Sequence, residues 1–283
     1  MGDGPKTIVA FLDESESGRA RLELAIEIAR TYRSHLVAAF VELPPRRPPA
    51  EGASDFARGT GMDAAIETYL EKQGESVNAL RRRLSSAARE FDFGDEWRTV
   101  AAQAQLREVA VHGTYCDLMI LPPLGGGFDA NPWSPADLVL VSGVPGIVVP
   151  AAAGLRSCGR RVLVAWNESR VARRAIGDAM PFLARAESVH VVVVDERGPR
   201  LNAKDPGADV AHLLARHDVA ATVDYVASEG RDAADVLLER AVSLGADLLV
   251  AGAYGHSRFS EIVFGSTTRR LLRGSSVPAF ISH

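Results

Sequence analysis

The sequence is written twice. Residues 7–15 (TIVAFLDES) are answered by residues 161–169 (RVLVAWNES), which lays Asp13, Glu14 and Ser15 on Asn167, Glu168 and Ser169. Further on, SHLVAAFVE (34–42) answers SVHVVVVDE (188–196), CDLMILP (116–122) answers ADLLVAG (246–252), and GVPGIVVP (143–150) answers SVPAFISH (276–283). Four landmarks in one order mean a duplicated domain. The repeat is far longer than the 20–50 residues of a solenoid unit, so each copy is expected to build its own core. Residues 151–159 (AAAGLRSCG) are small and aperiodic and read as a linker between domains at 1–150 and 160–283.

Within each copy two periods alternate. In the second, residues 162–165 form a short continuous apolar run, as in a strand covered on both faces. Residues 170–184 carry helical spacing, with Val171, Ala175, Ala179, Phe182 and Leu183 on one side and Pro181 expected to bend the last turns. Strands are expected at 189–194, 223–226, 248–251 and 279–282, and helices at 210–217, 233–244 and 266–273, with Gly245 suited to the position after a helix end. Five strands per copy, alternating with helices, predict an α/β fold of two tandem repeats, each a mainly parallel sheet flanked by helices. The first copy is longer through residues 44–61, which are rich in Pro, Gly and Arg and read as a loop; Arg46 and Arg47 there are candidates for contact with an acidic partner.

Composition removes several classes of function. Of 283 residues 47% are apolar and 24% charged, and the net charge is -4, which excludes a disordered chain and gives no basic footprint for nucleic acid. Two cysteines, Cys116 and Cys158, cannot make a disulfide framework, and the first residues lack the charged-then-apolar form of a signal peptide. No apolar run reaches the roughly 18 residues of a membrane span. A cytoplasmic protein is expected, without nucleic-acid or membrane partners.

Ligands of such sheets sit beyond the carboxyl ends of the strands, where strand order reverses. After the fourth strand of the second copy comes GAYGHSRFSEIVFGSTTRRLL (252–272). Gly252 and Gly255 permit positive φ and close backbone approach, and Gly265 and Ser266 open a helix whose free N–H groups favour an anion. His256 lies within the same loop and is a candidate for a phosphate contact, although solvent exposure, shared with Arg258, is the favoured reading. The loop is neither a P-loop nor a dinucleotide fingerprint. Its spacing, G-x2-G-x9-G-[ST] before the last helix, resembles the nucleotide-binding signature of the universal stress protein family. The resemblance covers both copies. It implies an adenine nucleotide alpha hydrolase-like fold with strand order 3-2-1-4-5 in each, domains paired through their last strands, and ATP or ADP or AMP as ligand, with Mg²⁺ a candidate companion on the phosphates. Carried across, Gly252, Gly255, Gly265 and Ser266 would hold phosphates and ribose, with the Thr267 N–H a further donor. Asn167 stands where the family usually has an Asp toward the adenosine. Trp166 and the backbone of Val194 and Val226 are placed near the adenine by strand position alone.

The first copy lacks this cradle. In LPPLGGGFDANPWSPADLVLV (121–141) Pro122 replaces the first glycine, and Pro132 and Trp133 fall on Gly265 and Ser266. Ser134 then Pro135 is an ordinary helix start, and Trp133 is expected to fill the space. Elsewhere, His212 and His217 do not share a helix face, and Arg81, Arg82 and Arg83 read as a solvated face. No catalytic residue and no metal ligand is assigned. The expected function is a stress-response regulatory protein that binds an adenine nucleotide in its C-terminal domain, the N-terminal domain being a non-binding pseudo-dimer partner. A nucleotide-independent scaffold and a slow ATPase are the alternatives. An adenylating enzyme would show an SGGxDS-like loop after the first strand, where this chain has LDES and WNES. A protein partner and association of two chains are left open.

Overall fold

The computed structural model describes residues 4–42, 55–101, 103–124, 133–151, 157–195, 206–253 and 266–283. The first copy runs β1 (Thr7–Leu12), α1 (Glu16–Tyr32), β2 (His35–Val41), α2 (Asp55–Phe91), β3 (Asp95–Val100), α3 (Leu106–Thr114), β4 (Leu118–Leu121), α4 (Pro135–Ser142) and β5 (Gly146–Val148). The second runs β6 (Arg161–Ala165), α5 (Arg170–Leu183), β7 (Ser188–Asp195), α6 (Pro206–Ala215), β8 (Ala221–Ala227), α7 (Ala233–Ser243), β9 (Leu248–Gly252), α8 (Ser266–Gly274) and β10 (Ala279–Ser282).

All ten strands join one sheet in the order β3-β2-β1-β4-β5-β10-β9-β6-β7-β8. Each half is thus ordered 3-2-1-4-5 from its outer edge inward, and every pairing within a half is parallel. The halves meet where β5 pairs antiparallel with β10, Ile147 opposite Phe280. Their strands therefore run in opposite senses, and their carboxyl edges lie at opposite ends of the sheet.

The expectation of one core per copy is corrected on one face. There a single apolar cluster spans both halves, from Leu22 and Ala25 of α1 and Leu84 of α2 to Ile176 and Phe182 of α5 and Leu214 of α6. Phe182 bridges it by edge contacts with the rings of Tyr32, at 5.4 Å, and Phe280, at 5.9 Å. The reason is the seam: continuing the sheet through β5 and β10 leaves α1 and α5 side by side with apolar faces to cover. On the other face two clusters persist, one around α3 and α4 and one around α7. Helix α8 belongs to both, since Leu271 packs in its own half and Leu272 in the first.

Both copies start their first strand with the same device. Asp117 Oδ2 accepts from the N–H groups of Lys6 and Thr7, and Asp247 accepts from those of Gly159, Arg160 and Arg161 and from Ser157 Oγ. This is what the repeated CD and AD before the fourth strand do: they tie the opening strand to its neighbour. Gly245, at φ 58°, takes the left-handed position after α7 as expected.

The long insertion differs from its expectation. Residues 55–61 belong to α2, a helix of 37 residues and so about 55 Å long. No proline follows Pro49 before Phe91, so nothing breaks the helical run, and glycines weaken it only by about 1 kcal/mol each. Arg46 and Arg47 lie outside the described residues. The arginine triplet is more than a solvated face: Arg83 holds Glu23 of α1 through two hydrogen bonds of 2.7 and 2.6 Å, and Arg81 lies over the Trp97 ring.

Candidate functional site

The repeated Asp/Asn-Glu-Ser after the first strand is, first of all, a helix start. Ser15 Oγ accepts from Gly18 N–H at 3.0 Å and caps α1, and Ser169 Oγ accepts from Ala172 N–H at 3.2 Å and caps α5. Asp13 Oδ1 and Asn167 Oδ1 each accept from the N–H two residues on, at 2.7 and 3.2 Å. The capping role of the serines went unread in the sequence, although a Ser directly before a helical run is its usual signal.

Beyond that shared turn the copies part. Asp13 is buried, and its Oδ2 accepts from Arg21 Nη2 at 2.5 Å. Arg21 is also buried and donates to the Phe11 carbonyl at 2.9 Å and to Ser17 Oγ at 2.8 Å. Burial pushes the guanidinium below its usual range, and the Asp13 charge opposes that shift. At the start of α4, Trp133 is buried and packs at 6.1 Å from the Phe11 ring. Ser134 caps α4 with its hydroxyl toward Asp137 N–H, Asp137 returns the bond, and Pro135 follows at the first helical position. At the carboxyl edge of the first copy Asp13 is thus paired with Arg21, and Trp133 is packed into the core.

At the second carboxyl edge Asn167 is exposed. The position matching Arg21 is Ala175, which is buried in the core and brings no charge. Glu168 takes a left-handed φ of 59°, which Glu14 does not, so the aligned turns differ in backbone as well as in charge. Val194 and Val226 face each other across β7 and β8, half-buried beside the cluster under α7. Trp166 points the other way and packs on the α1–α5 face. That separates it from the two valines, because side chains of a strand alternate between faces and Trp166 lies out of step with Ala165.

Gly252 ends β9 next to the amino end of α5. A Cβ there would meet the Val171 carbonyl carbon at 2.4 Å and the Ala172 nitrogen at 2.5 Å. Close backbone approach does require this glycine, and the approaching backbone is that of α5. Helix α8 begins at Ser266, so its unpaired N–H groups, that of Thr267 among them, stand at the end of the loop that follows β9. Gly255, His256 and Gly265 lie outside the described residues. Among the described residues no group of three or more potential metal ligands occurs, and no helix is long and apolar enough to cross a membrane.

Each half is thus a doubly wound α/β domain with strand order 3-2-1-4-5. The sequence model of the universal stress protein family matches residues 159–283, so this part of the chain is similar to a universal stress protein domain. The whole chain has the doubled form of that fold. A universal stress protein of Archaeoglobus fulgidus DSM 4304 superposes with a TM-score of 0.67 at 16% identity, covering 97% of this chain and 95% of the other. A protein of unknown function from Pseudomonas aeruginosa PAO1 superposes with a TM-score of 0.57 at 15% identity, covering 99% and 93%. Comparison with curated proteins gives no match.

Proposed function

We propose that this chain is a stress-response regulator that binds one adenine nucleotide at the carboxyl edge of its C-terminal domain, with the N-terminal domain as a partner that binds none. The observation that carries this reading is the asymmetry of the two edges. Asp13 is spent on Arg21 and Trp133 is buried, whereas Asn167 is exposed. In the second domain Asn167 would meet the adenosine, Val194 and Val226 would offer apolar surface to the base, and the amino end of α8 at Ser266 and Thr267 would receive phosphate oxygens. Gly255, His256 and Gly265 complete the cradle by their sequence spacing. Gly252 contributes by letting β9 and α5 close on each other. Trp166 is withdrawn from the base-contacting set because it packs on the opposite face. ATP is the ligand of first choice, with ADP or AMP next and Mg²⁺ on the phosphates.

The site acts by holding a ligand. The cytoplasm fits a chain of this composition. The test is to denature the purified protein and count the nucleotides released, followed by calorimetry with ATP. About one per chain, reduced at least tenfold by Asn167→Ala or Ser266→Ala in a protein of unchanged melting temperature, is expected. Two per chain refutes a first domain that binds none. None, with no heat of ATP binding, favours the scaffold.

A further inference from the structure

At the opposite edge of the sheet from that site, the ends of β4 and β5 meet the last turn of α8. Between them lies a cavity of about 170 Å³, lined by Pro123, Leu124, Val148, Pro150, Leu272 and Arg273. It belongs to neither copy alone: β4 and β5 come from the first, α8 from the second.

It is a half-open pocket in which the apolar side chains of Pro123, Leu124, Val148, Pro150 and Leu272 stand beside the polar groups of Arg273 and Ser275. Part of the backbone around it is paired: Leu124 N–H donates to the Leu272 carbonyl at 3.1 Å and Ser275 N–H to that of Leu271 at 3.1 Å. The Ser275 hydroxyl, also at the cavity, is taken up by the backbone of Val277. Among the described residues no ion pair engages Arg273, which is exposed. The unspent polar capacity is therefore a guanidinium, a fork that suits a carboxylate. An apolar cavity of about 150 Å³ holds a benzene ring. The space here accepts a body of that size.

We propose that this seam cavity is a binding site for a small monocarboxylate with a compact apolar body, its carboxylate on Arg273 and its body against Pro123, Leu124, Val148 and Leu272. The inference is independent of the nucleotide reading, since no residue is shared between the two sites. Such a ligand bridges the two halves at the one place where their strands are antiparallel.

The probe is sodium benzoate, with benzyl alcohol as its uncharged counterpart, added to the full chain with ¹³C-labelled methyl groups. Benzoate is expected to shift the methyl signals of Leu124, Val148 and Leu272 saturably, with Kd on the order of 0.1–1 mM. Arg273→Gln is expected to weaken benzoate about tenfold or more and leave benzyl alcohol unchanged. Arg273 is exposed and makes no ion pair among the described residues, so this variant should fold as the parent does, which an unchanged melting temperature verifies. The proposal fails if these methyls do not saturate, if the shifts fall instead on Val194 and Val226, or if Arg273→Gln binds benzoate as tightly as the parent.

Discussion

Replacing Arg21 by Met should cost the first domain about 3–5 kcal/mol, the usual penalty for removing one partner of a buried ion pair. Both side chains are buried, with Arg21 at 0% and Asp13 at 1% exposure, so water cannot take over for the lost guanidinium. Three acceptors lose a donor together: Asp13 Oδ2, the Phe11 carbonyl and Ser17 Oγ. Asp13 keeps only the Ser15 N–H among its bonds described here. Urea unfolding of the full chain at neutral pH measures the loss, and a fall in melting temperature of roughly 10 °C should accompany it. Adding Asp13→Leu removes the stranded charge, and the double variant should recover all but about 1–3 kcal/mol, the share of the orphaned Phe11 carbonyl. An Arg21→Met protein within about 1 kcal/mol of the parent, or a double variant no better than the single, would refute the claim that Asp13 is spent on Arg21.

Three other outcomes are expected. Gly252→Ala should destabilise the second domain by about 1–3 kcal/mol through its collision with the Val171–Ala172 backbone, seen as a lower urea midpoint, so a glycine variant here reads folding before it reads ligand binding. Burial of Tyr32 raises its phenol from 10.0 to about 12 against the opposing charge of Arg185. Its neutral form is favoured in the fold, so that stability is complete below pH 10 and is lost as pH rises through about 12; unfolding followed from pH 9 upward should show the margin over Tyr32→Phe shrinking in that window. Asp247→Ala frees three backbone N–H groups and the Ser157 hydroxyl at the head of β6, and should cost about 1–3 kcal/mol with faster amide exchange at Arg160 and Arg161.

Most of the framework could be read from periodicity because the inner strands are buried on both faces and so appear as short apolar runs. The pairing of the two halves through their last strands came with the family resemblance, and β5 and β10 bear it out. Three things were out of reach. Arg21 sits among ordinary helix residues, and nothing in its spacing says that it turns back on Asp13; only the missing counterpart at Ala175 hints at it. Trp166 was assigned by strand position without its face, a distinction that rests on one residue of alternation. The start of α2 was hidden because Gly and Pro clusters signal a loop, while the helix begins just after the last proline. At the candidate edge, the cradle glycines Gly255 and Gly265 rest on their sequence spacing.

The antiparallel join of β5 and β10 carries a consequence for descent. Two identical subunits meeting this way are bound by symmetry: any substitution appears twice, and an inactivating one silences both. Placing the two on one chain removes that bond. Arginine could enter at position 21 while alanine stayed at 175, and tryptophan at 133 while serine stayed at 266. Each edge became free to change without the other, and the stoichiometry of the unequal pair was fixed by covalent linkage, independent of concentration.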